Sequence, residues 1–397
     1  MGVLSSPSRL ARRIQVVALF AVGALALSAC GGSSLEQSSD AKSGDEVKIG
    51  LLVPTSGVYA PLGADMSNGF KLYLDQHGGR LGGHKIKVVN ADEGEGPQTG
   101  VPAAQKLVTQ DHSTVVVGVV NSATALGLRD FFNESKVPLL VANAGANDIT
   151  GSRKSDYVWR TSFANGKVAG ALGSTVAKEA KGGVYVIAAD YAAGHEMVAG
   201  FRKTFEAAGG KVIGEKYTPF GKTQDFQPYL SAIRSSGARA VFSFYAGAEA
   251  VSFVKQYEQF GLAGKTPLYG PGFLTEGGVL AAQGDAAVGV KTSLHYSAEL
   301  DTPRNKEFVA AYKQGFGKSP TVYSVQAYDA AAVLDKALAK GTSSEEITKA
   351  FAGVGAIDSP RGSWTFDADH DAQQKYYLRE VTSGGGTIVN AVLNDLS

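Results

Sequence analysis

The chain has 397 residues, a formal net charge of +1 at pH 7 and charged side chains at 19% of its positions. This near-neutral balance, without a basic stripe, argues against a nucleic-acid-binding protein. The length exceeds what one hydrophobic core usually accommodates, so two domains are expected.

The N-terminus carries the pattern of a secretory signal. Three arginines between positions 9 and 13 precede an apolar run from Ile14 to Leu27, and small residues follow before Cys30. This order predicts a lipoprotein signal peptide over residues 1–29, and the run is shorter than the ~20 residues that cross a bilayer. Cys30 is the only cysteine, and its position resembles the lipobox of bacterial lipoproteins, in which this residue is acylated. The alternative is an ordinary signal peptide with an incidental cysteine.

Residues 30–46 are rich in Gly, Ser and Asp. A segment of this composition cannot bury a core, so it predicts a flexible tether. We therefore expect an extracytoplasmic protein that is anchored to the cell membrane through Cys30.

Short β-branched runs alternate with amphipathic runs along the mature chain. In the first part, the predicted strands cover 47–53, 86–89, 115–119 and 137–141, and the predicted helices cover 63–76, 99–111 and 123–135. Strand, helix and strand at this spacing predict right-handed crossovers and a parallel sheet that is covered on both faces.

A second set of units follows a short strand near 157–161. The predicted strands cover 184–188, 212–217, 240–244, 267–269 and 288–295, and helices cover 167–180, 226–235, 249–260, 304–316 and 323–339. Antiparallel strands close the chain between 364 and 392. This pattern predicts two doubly wound α/β lobes. Ligands of such sheets bind outside the carboxyl ends of the strands, so the predicted binding site is the cleft between the lobes.

Seven short motifs occur in order along the mature chain, at 49–57, 118–122, 137–140, 159–162, 270–272, 284–290 and 319–323. Together they resemble the type I periplasmic binding proteins of the branched-chain amino acid class. The resemblance implies two parallel-sheet lobes with a three-strand hinge, lobe 1 being 47–161 plus about 293–356 and lobe 2 being 162–292 plus about 357–397. It also implies a monomer that closes around an amino acid or another small carboxylate and delivers it to the permease and ATPase subunits of an ABC importer.

The resemblance also implies where the ligand carboxylate is held. The loops after the third and fourth strands supply backbone N–H groups and hydroxyls, and they correspond here to Asn121, Ser122 and Ala123 and to Ala144, Gly145 and Ala146. Helix N-termini present unpaired N–H donors to an anion. Ala146 stands where amino-acid-binding members commonly carry threonine.

A second departure concerns the ligand's ammonium group. Where leucine-binding members carry the glutamate that pairs with it, this chain has Gly272 and Phe273. Burying an ammonium without a partner is costly, so either the ligand lacks that group or Asp190 or Glu276 pairs with it. Asp190 has a helix cap as its alternative role.

Several aromatic residues are further candidates for the cleft. The rings of Phe163, Tyr191, Phe273 and Tyr323 form a predicted slot for an aromatic, benzoate-like carboxylate. Tyr59 is placed near the cleft mouth. Tyr245 is a candidate too, although one member of the pair Phe244 and Tyr245 belongs in the core.

Other classes of protein receive less support. The six histidines are scattered without a pair at metal-ligand spacing, so no metal or cofactor is expected. No nucleophile elbow or phosphate-binding loop is present, which argues against an enzyme. A ligand sensor that serves a signalling partner remains an alternative use of the same fold.

Overall fold

The computed structural model describes residues 46–384 and 386–397. Its first sheet has six strands in the order β2-β3-β1-β4-β5-β6. They are β1 (Glu46–Val53), β2 (Arg80–Leu81), β3 (His84–Asp92), β4 (Val115–Gly118), β5 (Leu139–Val141) and β6 (Val158–Arg160). All pairs are parallel except the short edge pair β2 and β3. β4, β5 and β6 are buried throughout, as expected of strands covered on both faces.

Six helices belong to this part of the chain: α1 (Ala60–Gln76), α2 (Pro97–Thr109), α3 (Ser122–Ser135), α10 (Pro303–Phe316), α11 (Val322–Leu338) and α12 (Ser344–Phe351). The long helix α11 is buried along most of its length and packs along α1. Gly69 permits this close approach, because a Cβ atom at that position would lie 2.0 Å from the carbonyl oxygen of Ser324.

The second sheet has seven strands in the order β15-β14-β11-β10-β9-β7-β8. They are β7 (Val184–Asp190), β8 (Val212–Pro219), β9 (Ala240–Phe244), β10 (Leu268–Pro271), β11 (Lys291–Leu294), β14 (Tyr377–Gly384) and β15 (Thr387–Asp395). The strands from β7 to β11 are parallel, whereas β14 and β15 are antiparallel, in agreement with the predicted final strands. A small separate pair joins β12 (Thr365–Phe366) to β13 (Ala372–Gln373).

The remaining helices are α4 (Asn165–Gly170), α5 (Gly173–Glu179), α6 (Ala192–Ala207), α7 (Gln227–Ser236), α8 (Gly247–Gln259) and α9 (Gly278–Gln283). The predicted helix over 167–180 is wrong in one respect, because the structure divides it into α4 and α5. Thr204 on α6 contacts the break between them. Its Oγ1 donates to the carbonyl oxygen of Gly170 at 2.7 Å, and a Cβ atom on Gly173 would lie 2.0 Å from Thr204 Oγ1.

The chain passes between the two sheets three times, after β6, after β11 and before β14. The predicted α/β architecture with two parallel-sheet lobes is thereby confirmed. No helix among the described residues combines the length and the apolar character that a membrane span requires. The predicted signal peptide and Cys30 lie outside the described residues.

Candidate ligand-binding cleft

A narrow cavity lies between the two lobes, where the carboxyl ends of the parallel strands face each other. Its volume is about 30 Å³, so the lobes have to separate before a metabolite can enter. Seven of the predicted site residues line it: Tyr59, Ser122, Gly145, Phe163, Tyr191, Phe273 and Tyr323. The structure thus brings together residues from the first loop of the chain to the start of α11.

One end of the cavity carries hydrogen-bond donors. Asn121 caps α3, its side-chain oxygen accepting the N–H groups of Ala123 and Thr124 at 2.8 and 3.1 Å. Within the described part of the chain, the N–H groups of Ser122 and Gly145 have no acceptor. This end, which we call the donor end, offers unpaired N–H groups and the Ser122 hydroxyl.

The buried carboxyl group of Glu93 positions the donor end, and it was not predicted from the sequence. Glu93 accepts the N–H groups of Val120 and Asn121, each at 2.7 Å. Burial raises the pKa of Glu93 to about 8, while those two N–H groups act in the opposite direction. The carboxyl group therefore holds the residues directly before Ser122.

Aromatic rings form the wall next to the donor end. The ring centroid of Phe273 lies 4.7 Å from that of Phe163 and 6.1 Å from that of Tyr323. The Tyr323 hydroxyl is buried without a hydrogen-bond partner among the described residues. Burial is the first cause that raises the pKa of this phenol, so it stays protonated at neutral pH.

Two tyrosines close the cavity from opposite lobes. Tyr59 Oη and Tyr191 Oη lie 2.8 Å apart, and the Tyr191 ring stacks on Phe220 at 4.3 Å. Burial raises the pKa of both phenols. The pair forms a neutral hydrogen bond across the cleft.

Among the described residues, no carboxylate lines the cavity, which bears on the two predicted ammonium partners. Glu276 accepts from Arg379 Nη1 and from the N–H of Val322, both at 2.8 Å. Asp190 is exposed, and its Oδ1 lies 2.8 Å from His195 Nε2. Neither acid faces the cavity, and Asp190 does not cap α6 with its side chain.

The other predicted residues lie near the cavity without lining it. Tyr245 is in the core of the second lobe, with its hydroxyl 3.1 Å from Thr218 Oγ1, and Phe244 lines the cavity instead. Because adjacent residues of an extended strand point to opposite faces, Phe244 faces the cavity while Tyr245 faces the core. Asn121 and Ala123 serve the start of α3, and Ala144 and Ala146 belong to the core of the first lobe.

Gly272 also lies outside the cavity lining. Its carbonyl oxygen accepts from Arg379 Nη2 at 3.1 Å, and a Cβ atom there would lie 2.3 Å from that nitrogen. The backbone of Gly272 therefore binds the buried side chain of Arg379.

Two asparagines that line the cavity were not predicted from the sequence. Asn165 Nδ2 donates to Glu196 Oε2 at 2.9 Å and lies 3.4 Å from Ser122 Oγ. Asn143 Nδ2 donates to Gln326 Oε1 at 2.7 Å. Asn143 lies two residues after the end of β5, and Asn165 lies two residues beyond Phe163; these places were the available signal. The other missed lining residues are Leu62, Val120, Ala193, Phe244 and Ala246.

Among residues 46–384 and 386–397, no cluster of three His, Cys, Asp or Glu side chains is arranged to hold a metal ion. The polar side chains that line the cavity, those of Ser122, Asn143, Asn165 and three tyrosines, are all neutral.

The chain is similar to several known proteins. The Leu/Ile/Val-binding protein homolog 6 of Brucella melitensis is 31% identical over 355 residues, which cover 87% of this chain and 90% of that protein. A solute-binding protein of an ABC transporter from R. palustris, solved in complex with benzoate, is 37% identical with a TM-score of 0.82, covering 87% of this chain and 96% of that one. Another from R. palustris, in complex with 4-hydroxybenzoate, is 31% identical with a TM-score of 0.83, covering 88% and 97%.

The family described as periplasmic binding proteins matches residues 46–386. This match and the relatives confirm the predicted resemblance. The chain belongs to the periplasmic binding protein family, in which it is an extracytoplasmic solute-binding protein of the ABC-transporter type.

Proposed function

We propose that this protein captures a small aromatic carboxylate of the benzoate type, without turnover, for an ABC importer. The observation that carries the proposal is the composition of the cavity lining, to which the described part of the chain contributes six aromatic side chains and no carboxylate. Such a lining suits a flat ring that bears an anion and no cation.

An α-amino acid would bury its ammonium group in this cavity without an ionic partner. The nearby Glu276 carboxylate is already held by Arg379 and by the N–H of Val322. Leaving a buried charge unpaired costs about 3–5 kcal/mol. This penalty disfavours leucine and its analogues relative to acids that lack the ammonium group.

The donor end suits a carboxylate. The N-terminus of α3 contributes its partial positive charge and the unpaired N–H of Ser122, and Gly145 contributes a second N–H. Hydrogen bonds to a charged acceptor are the stronger kind. A carboxylate at this end would also leave the attached ring against the wall that Phe163 and Phe273 form.

Two similar proteins support the ligand class, since the R. palustris proteins at 37% and 31% identity were solved with benzoate and 4-hydroxybenzoate. A branched-chain amino acid is the second candidate, because the similar Brucella protein is named for leucine, isoleucine and valine.

The experiment is a thermal-shift and calorimetric comparison of matched ligands. Leucine is paired with 4-methylpentanoate and phenylglycine with phenylacetate, so that each pair differs in the ammonium group, and benzoate is added. We expect the acids without an ammonium to bind tighter and to raise Tm more, since a ligand stabilises according to its concentration over Kd. Tighter binding of leucine than of every such acid would establish the amino-acid candidate instead.

We further propose that the protein acts as a monomer tethered through acylated Cys30 and residues 30–46. The proposed lobes are 47–161 plus about 293–356, and 162–292 plus about 357–397. Every strand of the first sheet ends before residue 161, and the second-sheet strands fall in the other lobe except for the last two residues of β11. The three connecting segments would then be the hinge of closure.

A further inference from the structure

We infer that the ligand carries a hydroxyl group on its ring, and that Tyr323, which follows Phe163 and Phe273 along the aromatic wall, recognises this hydroxyl. The inference rests on the proposed function and narrows it from aromatic carboxylates to hydroxylated ones.

The Tyr323 hydroxyl is the starting observation. It lines the cavity and is buried, and it has no hydrogen-bond partner among the described residues. The two other tyrosines of the lining, Tyr59 and Tyr191, satisfy each other. Buried hydroxyls are nearly always paired, and one without a partner costs free energy. A ligand that pairs with Tyr323 removes this cost.

The aromatic wall separates Tyr323 from the donor end. Phe163 borders that end, because a Cβ atom on Gly145 would lie 2.4 Å from Phe163 Cε2. The rings then follow in the order Phe163, Phe273 and Tyr323, at centroid distances of 4.7 and 6.1 Å. A carboxylate near Gly145 therefore places the far side of its ring towards Tyr323.

Tyr323 is held in place by the start of α11. Thr321 and Ser324 form a capping box, with Thr321 Oγ1 accepting the N–H of Ser324 at 3.3 Å. Glu276 accepts the N–H of Val322 at 2.8 Å. The hydroxyl is thus fixed before the ligand arrives.

The surroundings of Tyr323 suit a neutral partner. Glu276, which accepts the N–H of the adjacent Val322, is paired with Arg379, so this helix start offers no unpaired charge to an ionic group. A phenolic hydroxyl is neutral and can both donate and accept a hydrogen bond. A hydroxyl substituent satisfies both conditions.

The experiment measures Kd by calorimetry for benzoate, 3- and 4-hydroxybenzoate, and 3- and 4-methylbenzoate. The methyl group has a similar size and makes no hydrogen bond. Binding is measured for the wild type, Tyr323→Phe and, as a matched control, Tyr245→Phe, which removes a hydroxyl in the lobe core. Tyr323→Phe breaks no hydrogen bond within the described residues, so it should fold normally.

We expect the wild type to bind one hydroxybenzoate about tenfold more tightly than its methyl analogue, the effect of one buried hydrogen bond. Tyr323→Phe should reduce this ratio to near one, and Tyr245→Phe should leave it unchanged. A ratio that survives Tyr323→Phe, or equal affinities of all five acids for the wild type, overturns this inference alone. Failure of every aromatic acid to bind overturns the proposed function and this inference with it.

Discussion

Tyr59 Oη and Tyr191 Oη lie 2.8 Å apart, and this hydrogen bond joins the loop after β1 to the loop after β7 across the cleft. The two residues are 132 positions apart in the chain and belong to different sheets. The contact exists only while the lobes are together, so its energy favours the closed form over the open one.

Tyr59→Phe should therefore weaken ligand binding about three- to tenfold, the loss of one neutral hydrogen bond from the closed state. Most of the change is expected in the dissociation rate, since release requires the lobes to open. Stopped-flow measurement with benzoate or the best ligand of the screen provides the check. Tyr257→Phe is the control: its hydroxyl donates to the carbonyl oxygen of Thr266 at 2.8 Å within one lobe. Equal dissociation rates for Tyr59→Phe and the wild type would contradict a role in closure.

The raised pKa of Glu93 predicts that the free energy of unfolding depends on pH. Burial raises its pKa from 4.5 to about 8 in the folded chain, so between these values the folded state holds a proton that the unfolded state has released. The contribution of Glu93 is complete below about pH 4.5 and is lost as the pH rises towards 8, by about 1.4 kcal/mol per pH unit inside that window.

The difference between wild type and Glu93→Gln isolates this effect, because glutamine does not titrate. The free energy of unfolding of the wild type, from denaturant titrations at pH 5 to 8, should fall with pH relative to that of the variant. Parallel curves for the two proteins would show that Glu93 does not titrate in this range.

Gly145→Ala should obstruct closure without disturbing the fold of either lobe. The backbone of Gly145 lies outside the left-handed region, so alanine is tolerated there, but its Cβ atom would lie 2.2 Å from Asn165 Oδ1. We expect at least about tenfold weaker binding, because an overlap of roughly 1 Å cannot be relieved while the lobes stay together.

Gly127→Ala is the matched control for this substitution. It lies on α3 in the same lobe, and its Cβ atom would make an ordinary contact of 3.5 Å with Val101. Calorimetry should show unchanged affinity, with stability raised by up to ~1 kcal/mol from helix propensity. Equal affinity in both variants would indicate that Gly145 does not contact Asn165 in the bound form.

Cys30→Ser tests the proposed anchor. If Cys30 is acylated, the variant should leave the membrane fraction and appear in the soluble extracytoplasmic fraction, because a chain without its acyl group loses the apolar area that holds it. Its affinity for ligand should match that of the wild type. Retention of the variant in the membrane fraction would exclude this mode of attachment.

The sequence by itself determined the architecture and predicted the place of the site. Apolar periodicity is a local property, so the alternating strands and helices could be read from neighbouring residues, and parallel strands necessarily meet at their carboxyl ends. The family resemblance, rather than periodicity, pointed to the loops at Ser122 and Gly145 and to the rings of Phe163, Phe273 and Tyr323.

Only the tertiary structure decided which polar groups remain free for a ligand. Glu276 is committed to Arg379, 103 residues away, and Tyr59 to Tyr191, while Tyr323 has no partner within the described residues. Pairings of this kind arise when distant segments meet, and no local pattern encodes them. The sequence also could not decide whether Phe244 or Tyr245 faces the cavity, because that depends on which face of the strand the partner lobe covers.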